Sequence, residues 1–186
     1  MLALYLGVDA ASVVLDRYPG RKPHLRGSTL DASLSHGGGT CLVGIVRRGR
    51  IGVDVEAPRP GIETWSLVSQ VLTRREHARW SALPPEQRAP AFLSVWTRKE
   101  ALLKAVGVGL KVDPRLIELG DDGQLVAAPR EVGPPDEWTL IELAVVDSFA
   151  VAAARRTITQ LELYDARDIR AAPTESRSGA ETHVSL

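Results

Sequence analysis

The groups best suited to chemistry in this chain are a pair of carboxylates and a third carboxylate flanked by lysines. Asp54 and Glu56 lie in Gly52-Val-Asp-Val-Glu56, and Glu100 lies in Lys99-Glu-Ala-Leu-Leu-Lys104. In a strand, side chains alternate with period two. Asp54 and Glu56 then emerge on one side, about 7 Å apart, with Ile51, Val53 and Val55 on the other. On a helical wheel Phe92, Val95, Trp96, Leu102, Leu103 and Val106 gather as an apolar face; Glu100 sits at its border, with Lys104 one turn further along the same seam. Lys99 falls inside the apolar stripe, a costly place for charge unless its stem snorkels or its ammonium meets an anion. Oxygen ligands beside ammonium groups suit a divalent cation next to a phosphorylated ligand. Taken singly, each fragment has an ordinary meaning. Asp54 and Glu56 would be solvated carboxylates, and Lys99, Glu100 and Lys104 a solvated helix edge with an i,i+4 pair. His36 would be a turn residue before Gly37–Gly39, and a bare glycine run is weak evidence for a phosphate cradle.

The elements that must position these groups read as follows. Leu2–Leu6 is the tail of a helix closing at Gly7. Tyr18–Pro23 is a turn-rich loop, Asp31–His36 a short alternating strand, and Thr40–Val46 an apolar, buried strand. Arg47–Arg50 makes a hairpin turn into the strand Ile51–Glu56. Pro58 and Pro60 then break the pattern and mark a boundary between lobes. Val68, Val71 and Leu72 form a short apolar stripe. Thr73-Arg-Arg-Glu76 has the spacing of a capping box and starts a helix through Trp80. Pro90 suits the first turn of a main helix that runs to Val106 and stops at Gly107. Strands are expected at Leu116–Leu119, Gln124–Ala127 and Trp138–Val146, and at Phe149–Ala154, which pairs with its predecessor through Asp147-Ser148. Residues 171–186 are polar and aperiodic and are expected to be disordered. The domain plan is therefore an N-terminal lobe over 1–57, a C-terminal lobe over 58–157 and an extension over 158–186.

Composition narrows the function classes. The chain has 186 residues, 44% of them apolar, enough for one domain or two small fused lobes. Zero formal net charge supplies no general field toward nucleic acid or a membrane. The single cysteine, Cys41, rules out an internal disulfide framework and fits a reducing compartment. Met1–Val8 has no positive region before it and meets Asp9 at once, so it is not expected to be a signal peptide. No apolar run is long enough to span a bilayer, and a cytoplasmic protein is expected. Only four of the 23 Lys and Arg residues are Lys. A Lys in so Arg-rich a chain suggests a site that wants a compact point charge rather than a planar fork.

In order, these segments resemble a known family. Gly52–Glu56, followed some forty residues on by Trp96-Thr-Arg-Lys-Glu-Ala-Leu-Leu-Lys-Ala-Val-Gly-Val-Gly-Leu110, resembles the signature pair of the 4′-phosphopantetheinyl transferases. Gly20–Pro23 and Ser33–Gly37 look like that family's two coenzyme-contacting segments. Because all motifs lie in one chain, the resemblance is to the surfactin-type branch. It implies an α+β, pseudo-dimeric fold of two similar small lobes, with the N-terminal lobe apparently shortened. An upstream extension would then be expected to complete it. The implied activity is transfer of the 4′-phosphopantetheine arm of coenzyme A to a serine of an apo acyl or peptidyl carrier protein, with 3′,5′-ADP leaving. Asp54, Glu56 and Glu100 would hold Mg²⁺, Lys104 would neutralise the pyrophosphate, and Lys99 would face the coenzyme phosphates or the incoming serine. Ser35 and His36 would contact a coenzyme phosphate, and Lys22-Pro23 the adenine end. Glu100 is also the candidate to deprotonate the serine. A monomer is expected, with no nucleic-acid or membrane partner. Two rival readings are a truncated, inactive coenzyme- or carrier-binding module and a Mg²⁺-dependent nuclease. Nuclease sites of that kind want their Glu and Lys on a strand, whereas Lys99-Glu100 lies in a helical pattern.

Overall fold

A computed structural model of the chain describes residues 2–16, 22–62 and 65–155. Its organising element is the antiparallel sheet β5-β9-β8, formed by Arg50–Glu56 (β5), Phe149–Arg155 (β9) and Trp138–Leu143 (β8). Both faces of this sheet are covered, and its central strand β9 is accordingly apolar nearly throughout. On one face lies the helix Pro85–Val106 (α4), whose Ala101, Leu102, Leu103 and Ala105 pack with Leu140, Val151 and Ala153. On the other face Ile51, Val53, Val55, Ile141 and Ala152 meet Leu42. Leu42 belongs to the hairpin formed by Asp31–Gly37 (β3) and Thr40–Val46 (β4), closed by Gly38 and Gly39, both at positive φ. The glycine run is thus a two-residue hairpin turn. Gly37 has a second reason to lack a side chain, since a Cβ there would lie 2.5 Å from the Val55 carbonyl oxygen.

The hairpin is fastened to the sheet by side chains. Successive N–H groups of a strand point to opposite edges, so every second one on β5 faces away from β9. These are taken by oxygens on alternate β3 residues: Asp31 Oδ2 accepts from Ile51 N at 2.8 Å, Ser33 Oγ from Val53 N at 3.1 Å, and Ser35 Oγ from Val55 N at 3.4 Å. Lys22 closes the lower end, donating to Asp31 Oδ2 and to the Ile51 carbonyl, each at 2.5 Å. An otherwise open and buried edge is thereby satisfied without backbone pairing.

The remaining elements are short. They are a helix at Leu2–Leu6 (α1), the pair Leu15–Asp16 (β1) and His24–Leu25 (β2), and the helices Trp65–Val71 (α2) and Arg74–Ser81 (α3). Glu118–Leu119 (β6) and Leu125–Ala127 (β7) form a further pair. Gly7 ends α1 at φ +66° and Gly107 ends α4 at φ +81°, as their positions in the sequence suggested. Thr73 and Glu76 form the expected capping box.

Several expectations need correction. Arg47–Arg50 does not turn a hairpin, because β4 pairs with β3 and β5 with β9. The strand β5, which the domain plan places within 1–57, pairs with β9, which the plan places within 58–157. The main helix starts at Pro85, its N1 residue, leaving Pro90 inside the helix. Within residues 116–119, Leu116 ends a 3-10 turn and only Glu118–Leu119 is strand; the strand expected to reach Val146 stops at Leu143. The loop around Tyr18–Arg21 and the tail over 171–186 lie outside the described residues.

Candidate active site at the β5–α4 seam

The site follows from a match of two repeats. Two residues along a strand advance about 6.6 Å and four along a helix about 6 Å, so a strand face and a helix stripe laid side by side stay in step over several residues. Here the β5 face Gly52-Asp54-Glu56 meets the α4 stripe Trp96-Glu100-Lys104, running in opposite directions. At one end Trp96 Nε1 donates to Glu56 Oε1 at 3.0 Å; further along, Lys104 Nζ donates to Asp54 Oδ1 at 2.6 Å. Gly52 sets the spacing. A Cβ on it would lie 1.9 Å from the Ala101 carbonyl oxygen and 2.3 Å from Ala105 N, so the helix backbone rests directly on the strand.

Asp54 is almost wholly buried, at 2% exposure. Its Oδ1 accepts from Lys104 and from Ser35 Oγ at 2.8 Å, and Lys104 also donates to Ser35 Oγ at 2.9 Å. Ser35 thus joins the hairpin, the strand and the helix at one point. Asp54 Oδ2 and Glu100 Oε1 are buried and have no hydrogen-bond partner among the described residues. Burial, followed by the neighbouring Asp54, pushes the Glu100 carboxyl above the usual carboxylate range; Lys104 opposes the shift and Glu56 adds to it. One ammonium group therefore stands against three carboxylates, and two carboxylate oxygens lack the partners that buried charge requires.

That donor set fits a hard divalent cation, which takes oxygen ligands and would supply the missing charge. As the side chains stand, no group of three or more Asp, Glu, His or Cys among the described residues is gathered closely enough to hold a metal. The unpartnered atoms identify Asp54 and Glu100 as the inner pair. Glu56, with Oε1 tied to Trp96, stands at the rim.

The structure thus brings together Asp54, Glu56, Glu100, Lys104 and Ser35. His36 is not among them. It is the next residue on β3 and points to the hairpin's outer, exposed face opposite Cys41, so it cannot share one contact with Ser35. Lys22 is committed to Asp31 and Ile51, and burial lowers its pKa from the ordinary value; Pro23 is exposed.

The expectation that Lys99 faces coenzyme phosphates or the incoming serine is not met. Lys99 is fully buried, and all three donors are taken: Glu76 Oε2 at 2.6 Å, the Val71 carbonyl at 2.8 Å and the Pro114 carbonyl at 3.0 Å. The anion its apolar position demanded is Glu76. That carboxylate also accepts from Thr73 N and Leu119 N, so the pair cross-links α2, α3, α4 and the approach to β6.

Sequence reasoning missed Gly52, Trp96 and Glu76. Gly52 was visible as a strand glycine on the carboxylate face, and Trp96 as the residue four before Glu100. Nothing local to Glu76 pointed to Lys99.

Comparison with known proteins places the chain in company. The family profile of the 4′-phosphopantetheinyl transferase superfamily matches residues 50–154, from the first residue of β5 to the last but one of β9. The 4′-phosphopantetheinyl transferase HetI of Nostoc sp. is 33% identical over 159 residues, 83% of this chain and 65% of that protein. AcpT of Salmonella typhimurium, also named a 4′-phosphopantetheinyl transferase, is 39% identical over 88 residues, 47% of this chain and 46% of that protein. The chain thus spans 65% of the length of the first of these relatives and 46% of the second. The crystal structure of Thermotoga maritima holo-[acyl-carrier-protein] synthase shares 20% identity at a TM-score of 0.44, over 74% of this chain and 83% of that one, a likeness too loose to bear on the site.

Proposed function

Because the chain belongs to the 4′-phosphopantetheinyl transferase superfamily, we propose that it moves the 4′-phosphopantetheine arm of coenzyme A onto a serine hydroxyl of an apo acyl or peptidyl carrier protein, releasing 3′,5′-ADP. The observation that carries this reading is the pair of unpartnered carboxylate oxygens, on Asp54 and Glu100, buried beside the Lys104 ammonium. Asp54, Glu56 and Glu100 would hold Mg²⁺, with coenzyme pyrophosphate oxygens and water completing its shell. When bound, the cation supplies charge neutralisation to the phosphoryl oxygens.

The protein's own groups do the rest. Lys104 is held by Asp54 and Ser35 at the seam, a fixed point charge for the pyrophosphate. Ser35 orients both partners through one hydroxyl. Glu100, with its carboxyl raised by burial, is suited to accept the serine proton directly or through a water, a role that competes with holding the metal. His36 and Pro23 are exposed, so each can meet the coenzyme from outside the seam, and Lys22, bonded to Asp31 and Ile51, stands next to Pro23 at the adenine end. We read the chain as a surfactin-type, pseudo-dimeric transferase acting as a monomer in the cytoplasm. Support for the branch comes from the presence of all motifs in one chain; separately, no helix among the described residues is long and apolar enough to cross a membrane.

The test is release of 3′,5′-ADP from coenzyme A, followed by chromatography. Release should require both the apo carrier protein and Mg²⁺ and should stop on chelation. No release, or release indifferent to the carrier, would overturn the reading.

A further inference from the structure

We propose that Trp96 is a positioning residue for Glu56: its indole N–H holds one carboxylate oxygen, leaving the other free for the cation between β5 and α4. The inference rests on the metal-dependent reading above. Three observations support it. Trp96 Nε1 donates to Glu56 Oε1 at 3.0 Å, a hydrogen bond that ties this rim carboxylate to α4. The indole is itself held, stacked on the fully buried Phe92 ring with centroids 6.5 Å apart and planes 14° apart. Trp96 also stands four residues before Glu100, one turn away on the same stripe, so a single helix sets both carboxylates.

The physical need is specific. Glu56 ends β5 at the open end of the seam and has no lysine partner of the kind that fixes Asp54. An unanchored carboxylate there would sample several rotamers, and a ligand that must first be ordered binds a cation less tightly. Indole is well chosen, because it donates a hydrogen bond without carrying a charge that would repel the metal. Lys or Arg at this position would satisfy Glu56 as an ion pair and so compete with the cation.

The decisive variant is Trp96→Phe, which keeps the aromatic stack on Phe92 and removes only the donor. Mn²⁺ is titrated calorimetrically into protein premixed with coenzyme A, with coenzyme A alone as the blank. The expected result is a dissociation constant about 10-fold higher than wild type, since loss of an outer-shell partner typically costs 10–100-fold. The melting temperature of the metal-free protein should stay close to wild type. Glu56→Gln closes a double-mutant cycle: once the carboxylate is gone, Trp96→Phe should change the Mn²⁺ constant no further. Independent losses that multiply would overturn the proposal, as would an unchanged constant in Trp96→Phe. A wild-type protein that binds no Mn²⁺ at all would remove the metal-dependent reading together with it. A measurement on protein that retains Trp96 guards against a variant that does not fold. In ¹⁵N-tryptophan-labelled protein, Glu56→Gln should move a single indole N–H resonance among those of Trp65, Trp80, Trp96 and Trp138. No movement would count against the contact.

Discussion

Glu100 is the residue on which most of the proposed chemistry converges. It is buried, unpartnered at Oε1 and set beside two other carboxylates. Its raised pKa has a consequence for stability with a definite sign. A carboxyl whose folded pKa lies above its unfolded value contributes most below the ordinary glutamate range, and that contribution is lost as pH rises through the raised value. The metal-free protein should therefore lose melting temperature across that window, and Glu100→Gln should flatten the loss. At neutral pH the glutamine variant should be the more stable, because it removes a buried charge set beside two other carboxylates, while transfer falls by on the order of 10³-fold. Thermal melts with and without Mg²⁺ and coenzyme A check the first part and initial rates the second. A glutamine variant less stable than wild type at every pH would mean that Glu100 has a structural partner in solution. The same proton competition predicts that metal affinity weakens as pH falls through the Glu100 value.

At the scale of elements, the seam depends on helix and strand lying close enough for their repeats to mesh. Gly52→Ala inserts a Cβ against the backbone of Ala101 and Ala105, which no rotamer change can relieve. The expected cost is on the order of 3 kcal/mol, with metal binding lost along with the spacing. A Gly52→Ala protein with wild-type melting and Mn²⁺ binding would refute the meshing argument. The Lys99–Glu76 pair makes the opposite prediction. Lys99→Met strands a buried carboxylate and should cost about 3–5 kcal/mol, and adding Glu76→Gln should return part of it, because the amide still caps Thr73 N without a charge. Turnover per folded molecule at low temperature should nevertheless stay within a few-fold of wild type; a loss of 10³-fold would restore Lys99 to the catalytic machinery. This pair also shows where sequence stops being informative. The wheel placed Lys99 among apolar residues and demanded an anion for it. The anion, however, came from a different helix 23 residues away, which only tertiary packing can specify.

For the molecule as a whole, what was legible is what local repeats encode: the strand faces at Asp54 and Glu56, the capping box at Thr73, the stop at Gly107, and the antiparallel pairing of β8 with β9. The layering was not legible. Short-range signals around Gly49 favoured a hairpin between β4 and β5, but β5 instead joined β9, a partner almost a hundred residues distant, while β3 gripped its other edge through Asp31, Ser33 and Ser35. Strand partnership is a long-range choice, and an alternating Asp-x-Ser-x-Ser pattern gives no hint that its oxygens replace a backbone ladder. The inferred transferase activity nonetheless rests on that layering, since it is what lays α4 on β5. Its most direct test is intact-mass spectrometry of a purified apo carrier protein incubated with this chain, coenzyme A and Mg²⁺. The carrier should gain the mass of one phosphopantetheinyl group on a single serine with the wild-type chain, and remain unmodified with Asp54→Ala of unchanged fold. A carrier that stays apo with the wild-type chain, or is modified equally well by Asp54→Ala, would contradict the account.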